Sequence, residues 1–159
     1  MEYLKKSLQV AGFLDNSLVN GEGLRSVLFV SGCRHKCPGC HNNSMQEFDY
    51  GDKVSLMEIL ERIKSNVPLI NGVTFSGGDP FEQAQELSWL AGEIKAMGLN
   101  IWCYSGYTYD EILESQDRNK IGLLKKIDVL VDGKYEEKLK KGSLKYTGSS
   151  NQKIIRLLR

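Results

Sequence analysis

The chain is short of the residues that most quickly assign a sequence to a class. It holds two histidines, three prolines, two tryptophans and four cysteines in 159 residues. No internal repeat, Pro- or Gly-rich linker or low-complexity tract interrupts it. No apolar run approaches the ~20 residues that a membrane-spanning helix needs, so no membrane partner is expected. The opening stretch "MEYLKKSLQVAGFLDNS" lacks a sustained apolar core and a cleavage signal, so no secretory leader is expected either. Charge of one sign is also missing. The net charge is +1 with acids and bases interspersed, which excludes nucleic-acid binding through a basic field. These absences point to the cytoplasm, where a reducing pool keeps thiols free. There a disulfide framework is not expected, and a metal or redox role for the cysteines is.

What is present reads as one globular domain spanning residues 1–159, since 26% charged and 41% apolar residues suit a chain with a buried core. Short apolar runs alternate with helical patterns. "SVLFVS" has strand length and stops just before Cys33. "SLMEILERIKS" opens with Ser55 and carries Glu58 three residues on, a capping box. "NGVTFSGG" reads as a buried strand entering a glycine turn. In "DPFEQAQELSWLAGEIKAMG", Asp79 takes the N-cap, Pro80 the first helical position and Gly98 the C-cap. "NIWCYSG" is a further strand. "TYDEILES" opens with a second capping box, Thr108 with Glu111. "IGLLKKI" then "DVLVDG" repeats the helix-to-strand step, and "GSSNQKIIRLLR" can close with a strand. The pattern predicts an α/β fold: an open, partial (β/α) barrel of mostly parallel strands with helical crossovers. In such sheets chemistry gathers at the carboxyl ends of strands. Cys33, Gly77 to Asp79, Ser105 and Asp132 all fall at or just after such ends.

Three of the four cysteines, and both histidines, lie in "SGCRHKCPGCHNN". Cys33, Cys37 and Cys40 form C-x3-C-x2-C, a spacing that lets three thiolates converge on one metal centre. One reading is structural zinc, with His41 or Cys103 as fourth ligand. Structural zinc usually draws on two separated ligand pairs, however, and Cys103 sits in an apolar strand as a small core residue would. The other reading is a [4Fe–4S] cluster held by three cysteines, leaving one iron open to bind a substrate. The turn "SGGDP" is weak evidence alone, because Asp79 can simply cap the next helix. After such a triplet it gains meaning: glycines let a ligand approach the backbone, and Asp79 can accept from an ammonium group.

C-x3-C-x2-C followed by an S-G-G-acid turn resembles the radical S-adenosylmethionine (SAM) enzymes. More narrowly, "VNGEGLRSVLFVSGCRHKCPGCHN" resembles the glycyl-radical-enzyme activases. "SGGDPF", "IWCYSGYTYDEI", "DVLVDGKYEEKL" and "YTGSSNQKII" resemble, in order, the anaerobic ribonucleotide reductase activating proteins. The resemblance runs from about Val19 to Ile155, and four cysteines leave no room for the extra cluster-binding insertions of longer activases.

The resemblance implies the following. Cys33, Cys37 and Cys40 ligate a [4Fe–4S] cluster, and the amino and carboxylate groups of SAM chelate the fourth iron. Ser76, Gly77, Gly78 and Asp79 receive the SAM amino group, while Gly39, Cys40 and His41 border the cofactor. Reductive cleavage yields methionine and a 5′-deoxyadenosyl radical, which removes a Cα hydrogen from a glycine of the large reductase subunit. A reduced flavodoxin or similar donor supplies the electron. Gly39 stands where an aromatic residue is common, and Asp79 where glutamate is, so its contact can be direct or through water. Ser105 can reach the ribose, though a turn capped by Thr108 needs no ligand. Asp132 and Lys134 can meet the methionine end of SAM, though a D-G turn with an exposed lysine explains them equally. His35 is expected as a polar loop residue near the cluster. Gly78→Val is expected to weaken SAM binding with iron content near normal, and the final "KYTGSSNQKIIRLL" to form a docking rim for the reductase. The alternatives are a radical SAM enzyme with a small-molecule or other glycyl-radical target, and a zinc-binding interaction module.

Overall fold

The computed structural model describes residues 6–40 and 43–157. Its frame is a seven-stranded sheet in the order β3-β1-β2-β4-β5-β6-β7. The strands are β1 (Ser7–Ser17), β2 (Arg25–Val30), β3 (Asp52–Ser55), β4 (Gly72–Gly77), β5 (Asn100–Tyr104), β6 (Val129–Asp132) and β7 (Lys153–Arg156). β2, β4, β5 and β6 run parallel. β1 and β3 extend one side antiparallel, and β7 closes the other side antiparallel to β6. The four parallel strands match the expected elements to within two residues, and β7 lies inside the tail expected to close with a strand. β1 and β3 were not expected as strands, and they make the sheet mixed.

The helices are α1 (Leu56–Ser65), α2 (Ala84–Ala96), α3 (Tyr109–Glu114) and α4 (Arg118–Leu124). α1, α3 and α4 begin where a side chain satisfies free amides, at Ser55, Thr108 and Asp117. Ser55 Oγ accepts the Glu58 N–H at 3.1 Å, and at Thr108 both halves of the capping box with Glu111 form. Asp79 caps a short 3₁₀ turn, Pro80–Gln83, that leads into α2. At the far end of α2, Gly98 takes a φ of 80°, the left-handed conformation that glycine adopts without steric cost.

Strand residues alternate between the two faces of the sheet. Leu28, Val30, Val73, Phe75, Ile101, Cys103 and Leu130 join buried residues of all four helices in the main core. The helix i, i+3, i+4, i+7 pattern supplies the other side of it, as with Leu56, Ile59, Leu60 and Ile63 of α1. The opposite face carries a smaller cluster, Trp102, Val129 and Val131 with Tyr104, Tyr146 and Ile154. No helix contributes to it among the described residues. That face, above its lower end, is where room for a ligand remains.

The lower end is plugged by Arg25, which is fully buried. Its guanidinium donates to Thr74 Oγ1 at 2.7 Å, Glu22 O at 2.8 Å, Val73 O at 2.9 Å and Asn100 O at 3.3 Å. Burial pulls its pKa down to about 10, and Trp102 lies 5.8 Å from it. Arg25→Met should therefore destabilise the apoprotein by about 3 kcal/mol in urea unfolding, because several buried acceptors lose their donor at once. A loss under about 0.5 kcal/mol, the usual range for surface changes, would mean that water replaces the guanidinium without difficulty.

Candidate metal and cofactor centre

Beyond Val30 the backbone is held from two sides. Ser31 N–H donates to Gln9 O, Gly32 N–H to Met45 O at 2.7 Å and Cys33 N–H to Gln46 O at 3.0 Å. From the other side, Gly78 N–H donates to Val30 O and Asp79 N–H to Gly32 O, both at 2.7 Å. Cys33 thus sits rigidly at the carboxyl end of a central strand. The loop then passes through left-handed conformations at Lys36 (φ 52°) and Gly39 (φ 74°), and Cys40 N–H closes a turn onto Cys37 O. The result brings Cys33, Cys37 and Cys40 to the wall of one cavity of about 360 Å³. All are free thiols.

The cavity opens on the helix-free face. Ser76, Gly77 and Gly78 line it from the end of β4, Tyr104, Ser105 and Gly106 from β5, and Tyr146 to Gly148 with Gln152 from the tail. Burial pushes the Cys33 thiol up to about 11, with the charge of Asp79 adding to it. Burial raises Cys37 as well, against a lowering backbone hydrogen bond from Tyr135. Such thiols ionise when a cationic centre displaces their protons. The set therefore suits a thiophilic metal centre, not a freely reactive nucleophile.

Cys103 is not part of this set. It is fully buried in the main core, and burial raises its thiol well above the ordinary value. Zinc completed by Cys103 is thereby ruled out, while His41 lies outside the described residues. Cys33, His35 and Asp79 do offer ligand-type atoms within 4.8 Å of one another. But His35 Nε2 is already 2.7 Å from Asp79 Oδ2.

The glycine turn holds two departures from expectation. A Cβ on Gly77, whose φ is 111°, would meet the Val30 backbone, and one on Gly78 would meet Gly32 O at 2.5 Å and Met45 O at 2.6 Å. The missing side chains thus admit neighbouring backbone, not a ligand, although both residues line the cavity. Asp79 is fully buried. Its carboxylate accepts from Phe81 N at 3.0 Å, Gly106 N at 2.9 Å, Ser105 Oγ at 3.0 Å and His35. Its oxygens are engaged within the protein, below the cavity wall.

Ser105 lines the cavity, but its hydroxyl donates to Asp79 and accepts the Tyr107 N–H at 3.0 Å. Asp132 faces an adjoining cavity together with Lys134, and there it accepts the Tyr109 N–H at 2.8 Å at the start of α3. Gly39 packs against the Glu137 side chain. The tail is wall and frame together: Tyr146 meets Trp102 edge-on at 5.4 Å, and Gln152 Nε2 donates to Gly133 O at 2.9 Å. Its expected role as a docking rim alone does not fit this placement.

A family model described as a 4Fe-4S single cluster domain matches residues 19–155. The anaerobic ribonucleoside-triphosphate reductase-activating protein of Escherichia coli K12 is 37% identical over 147 residues, covering 88% of this chain and 93% of that one. The protein of the same name from Enterobacteria phage T4 is 37% identical over 142 residues, 86% of each chain. The one from Vibrio cholerae is 38% identical over 146 residues, 87% of this chain and 92% of that one. The chain belongs to this family of 4Fe-4S activating proteins.

Family membership assigns iron–sulfur binding to the chain, and Cys33, Cys37 and Cys40 are free thiols that the fold gathers on one cavity wall. It also sharpens the glycine turn. In an activating protein built this way, Gly78→Val must push the Gly32 backbone, one residue before Cys33. Iron content and SAM affinity should then fall together after anaerobic reconstitution, by severalfold each, in reversal of the expectation from sequence. Normal iron with weakened SAM binding would show that the turn yields without disturbing the cysteines. Several cavity residues went unnoticed in the sequence: Asn20, Tyr104, Tyr135, Tyr146 and Gln152. The aromatic ones had a signal, in that each neighbours a predicted strand end or a glycine turn.

Proposed function

We propose that the chain is a radical SAM activase of the anaerobic ribonucleoside-triphosphate reductase, the target that its relatives' names carry. The observation that carries this reading is the convergence of three cysteines on one cavity at the carboxyl ends of parallel strands, with the fourth, Cys103, buried away from it in the main core. Three thiolates would leave one iron of a [4Fe–4S] cluster for SAM. The parallel β2-β4-β5-β6 core, with helices on one face and the cavity on the other, supports an open partial (β/α) barrel of the radical SAM type in one domain. The free thiols support a cytoplasmic setting.

When bound, cluster and SAM supply one-electron cleavage of the sulfonium C5′–S bond and a carbon radical that takes a hydrogen atom from a glycine Cα. The rest is positioning by the chain. Cys33, Cys37 and Cys40 would hold the cluster at one end of the cavity. The backbone of Ser76 to Gly78 would border the methionine amino group, with Asp79 shaping the turn through its bonds to Phe81 and Gly106 N–H. Tyr104, Val131 and Tyr146 give the cavity apolar walls, which exclude water from reactive species. Ser105, on the cavity wall, would lie beside the ribose, and Asp132 and Lys134 line the adjoining cavity. A reduced flavodoxin or similar protein is the proposed electron donor.

The test is anaerobic reconstitution with iron and sulfide, then incubation with SAM, a reductant and the large reductase subunit. A glycyl-radical signal on the reductase in step with released 5′-deoxyadenosine is expected. SAM cleavage without a radical on the reductase would redirect the reading to another glycyl-radical enzyme or a small molecule.

A further inference from the structure

The loop between the first two cysteines reads Arg34, His35, Lys36, and it has little of its own to hold it. Residues 34–36 make no backbone–backbone hydrogen bond among the described residues, and the His35 and Lys36 N–H groups meet the Cys33 sulfur instead. Fixing the backbone of a residue costs about 1–2 kcal/mol in lost freedom, so a loop that must present Cys33 and Cys37 in one geometry needs other ties. Two side chains provide them. The His35 ring, with its side chain 6% exposed, places Nε2 2.7 Å from Asp79 Oδ2. Arg34 Nε lies 3.3 Å from Glu82 Oε2.

The receiving side is shaped for this. In a 3₁₀ turn residues three apart lie on one side, so Asp79 and Glu82, flanking the first turn of Pro80–Gln83, both face the loop. Tyr107 stands between them. Its ring meets the His35 ring edge-on at 4.4 Å, and its hydroxyl donates to Glu82 at 3.2 Å. Gly106 leaves the space that the imidazole fills, since a Cβ there would lie 2.5 Å from His35 Cδ2. Phe81 N–H, Gly106 N–H and the Ser105 hydroxyl all donate to Asp79, so the acid stays oriented when His35 is changed.

We propose that Asp79 and Glu82 form a clasp that holds His35 and Arg34, and so fixes the cluster loop in its ligating shape before iron arrives. Asp79 and His35 are then positioning residues for the cysteines. This rests on Cys33, Cys37 and Cys40 being the cluster ligands. It also explains why the acid of the glycine turn is buried: it joins the ends of β4 and β5 to the loop after β2.

Amide hydrogen exchange on the apoprotein tests the clasp without any cluster. His35→Phe keeps the ring against Tyr107 and removes the donor to Asp79. Exchange of the Cys33, His35 and Lys36 amides, which are held by Gln46 O and by the Cys33 sulfur, should quicken about tenfold, the scale of one charge-assisted hydrogen bond, while residues 72–77 and 100–104 keep their protection. His35→Gln, whose amide can donate to Asp79, should recover most of the difference. On reconstituted protein, removal of iron by a chelator should follow the same order: fast in His35→Phe, slow in wild type and in His35→Gln. Loop exchange unchanged in His35→Phe, or His35→Gln as fast as His35→Phe, overturns the clasp. If His35→Phe loses protection in the strands as well, Arg34→Met reads the outer half: about twofold faster loop exchange supports the clasp and no change overturns it. Failure of the wild-type chain to take up a cluster would count against the proposed function and leave the apoprotein result standing.

Discussion

Cys33→Ala, Cys37→Ala and Cys40→Ala should each fold yet retain no cluster and release no 5′-deoxyadenosine, while Cys103→Ala retains both activities. The first three thiols share one cavity wall, and a centre with three protein ligands has none to spare. Cys103 lies in the central sheet between Phe75 and Leu130, fully buried on the helix-covered face. Alanine there removes one buried sulfur, a loss of about 1 kcal/mol that a folded domain tolerates. Iron and acid-labile sulfide per chain, with 5′-deoxyadenosine counted in parallel, check all four variants. Loss of the cluster in Cys103→Ala would point to a four-ligand centre and a rearranged core.

Cutting the chain after Lys145 should abolish SAM cleavage and glycyl-radical formation together. Read from the sequence, this segment is a candidate rim for the partner, and its loss weakens glycyl-radical formation far more than SAM cleavage. The fold gives it other work. β7 pairs with all four residues of β6, a buried and mostly apolar strand that would otherwise become an open edge prone to aggregation. Ser149 is fully buried and accepts the Glu136 N–H at 3.1 Å. Asn151 Nδ2 donates to Lys134 O at 2.8 Å, so the segment after β6 loses its ties too. Tyr146, Thr147, Gly148 and Gln152 leave the cavity wall at the same time. Circular dichroism and the 5′-deoxyadenosine count should both fall. A truncated chain that still cleaves SAM but leaves the reductase without a radical would restore the docking role.

The parallel core was legible because its signals are local. Buried parallel strands read as continuous apolar runs, and Ser55, Asp79 and Thr108 announce the turns that follow them. β1 and β3 were not legible for the same reason. The "SLQVAGFLDNS" strand is mostly half-buried or exposed, and "DKVS" has four residues. Their register comes from pairing with distant neighbours. The cysteine triplet needed only spacing. Asp79 did not: its neighbours His35 and Ser105 lie 44 and 26 residues away, and nothing in "SGGDP" says that its carboxylate turns inward to meet them. Gly78 misled for a related reason. A glycine records that a Cβ is unwelcome, and the sequence does not say whether ligand or backbone takes the space. Asp132 and Lys134 shared a strand end with the site, but the chain turns them to the far side of Gly133, which lines both cavities.

The central claim is that three cysteines hold a cluster whose remaining iron takes SAM. Pulsed electron paramagnetic resonance on the reduced, reconstituted chain tests it, with SAM carrying ¹⁵N at its amino group. The account predicts a ¹⁵N hyperfine coupling to the cluster in the wild-type chain and in Cys103→Ala alike. A fully formed cluster that shows no such coupling, with SAM bound in the cavity, would contradict it.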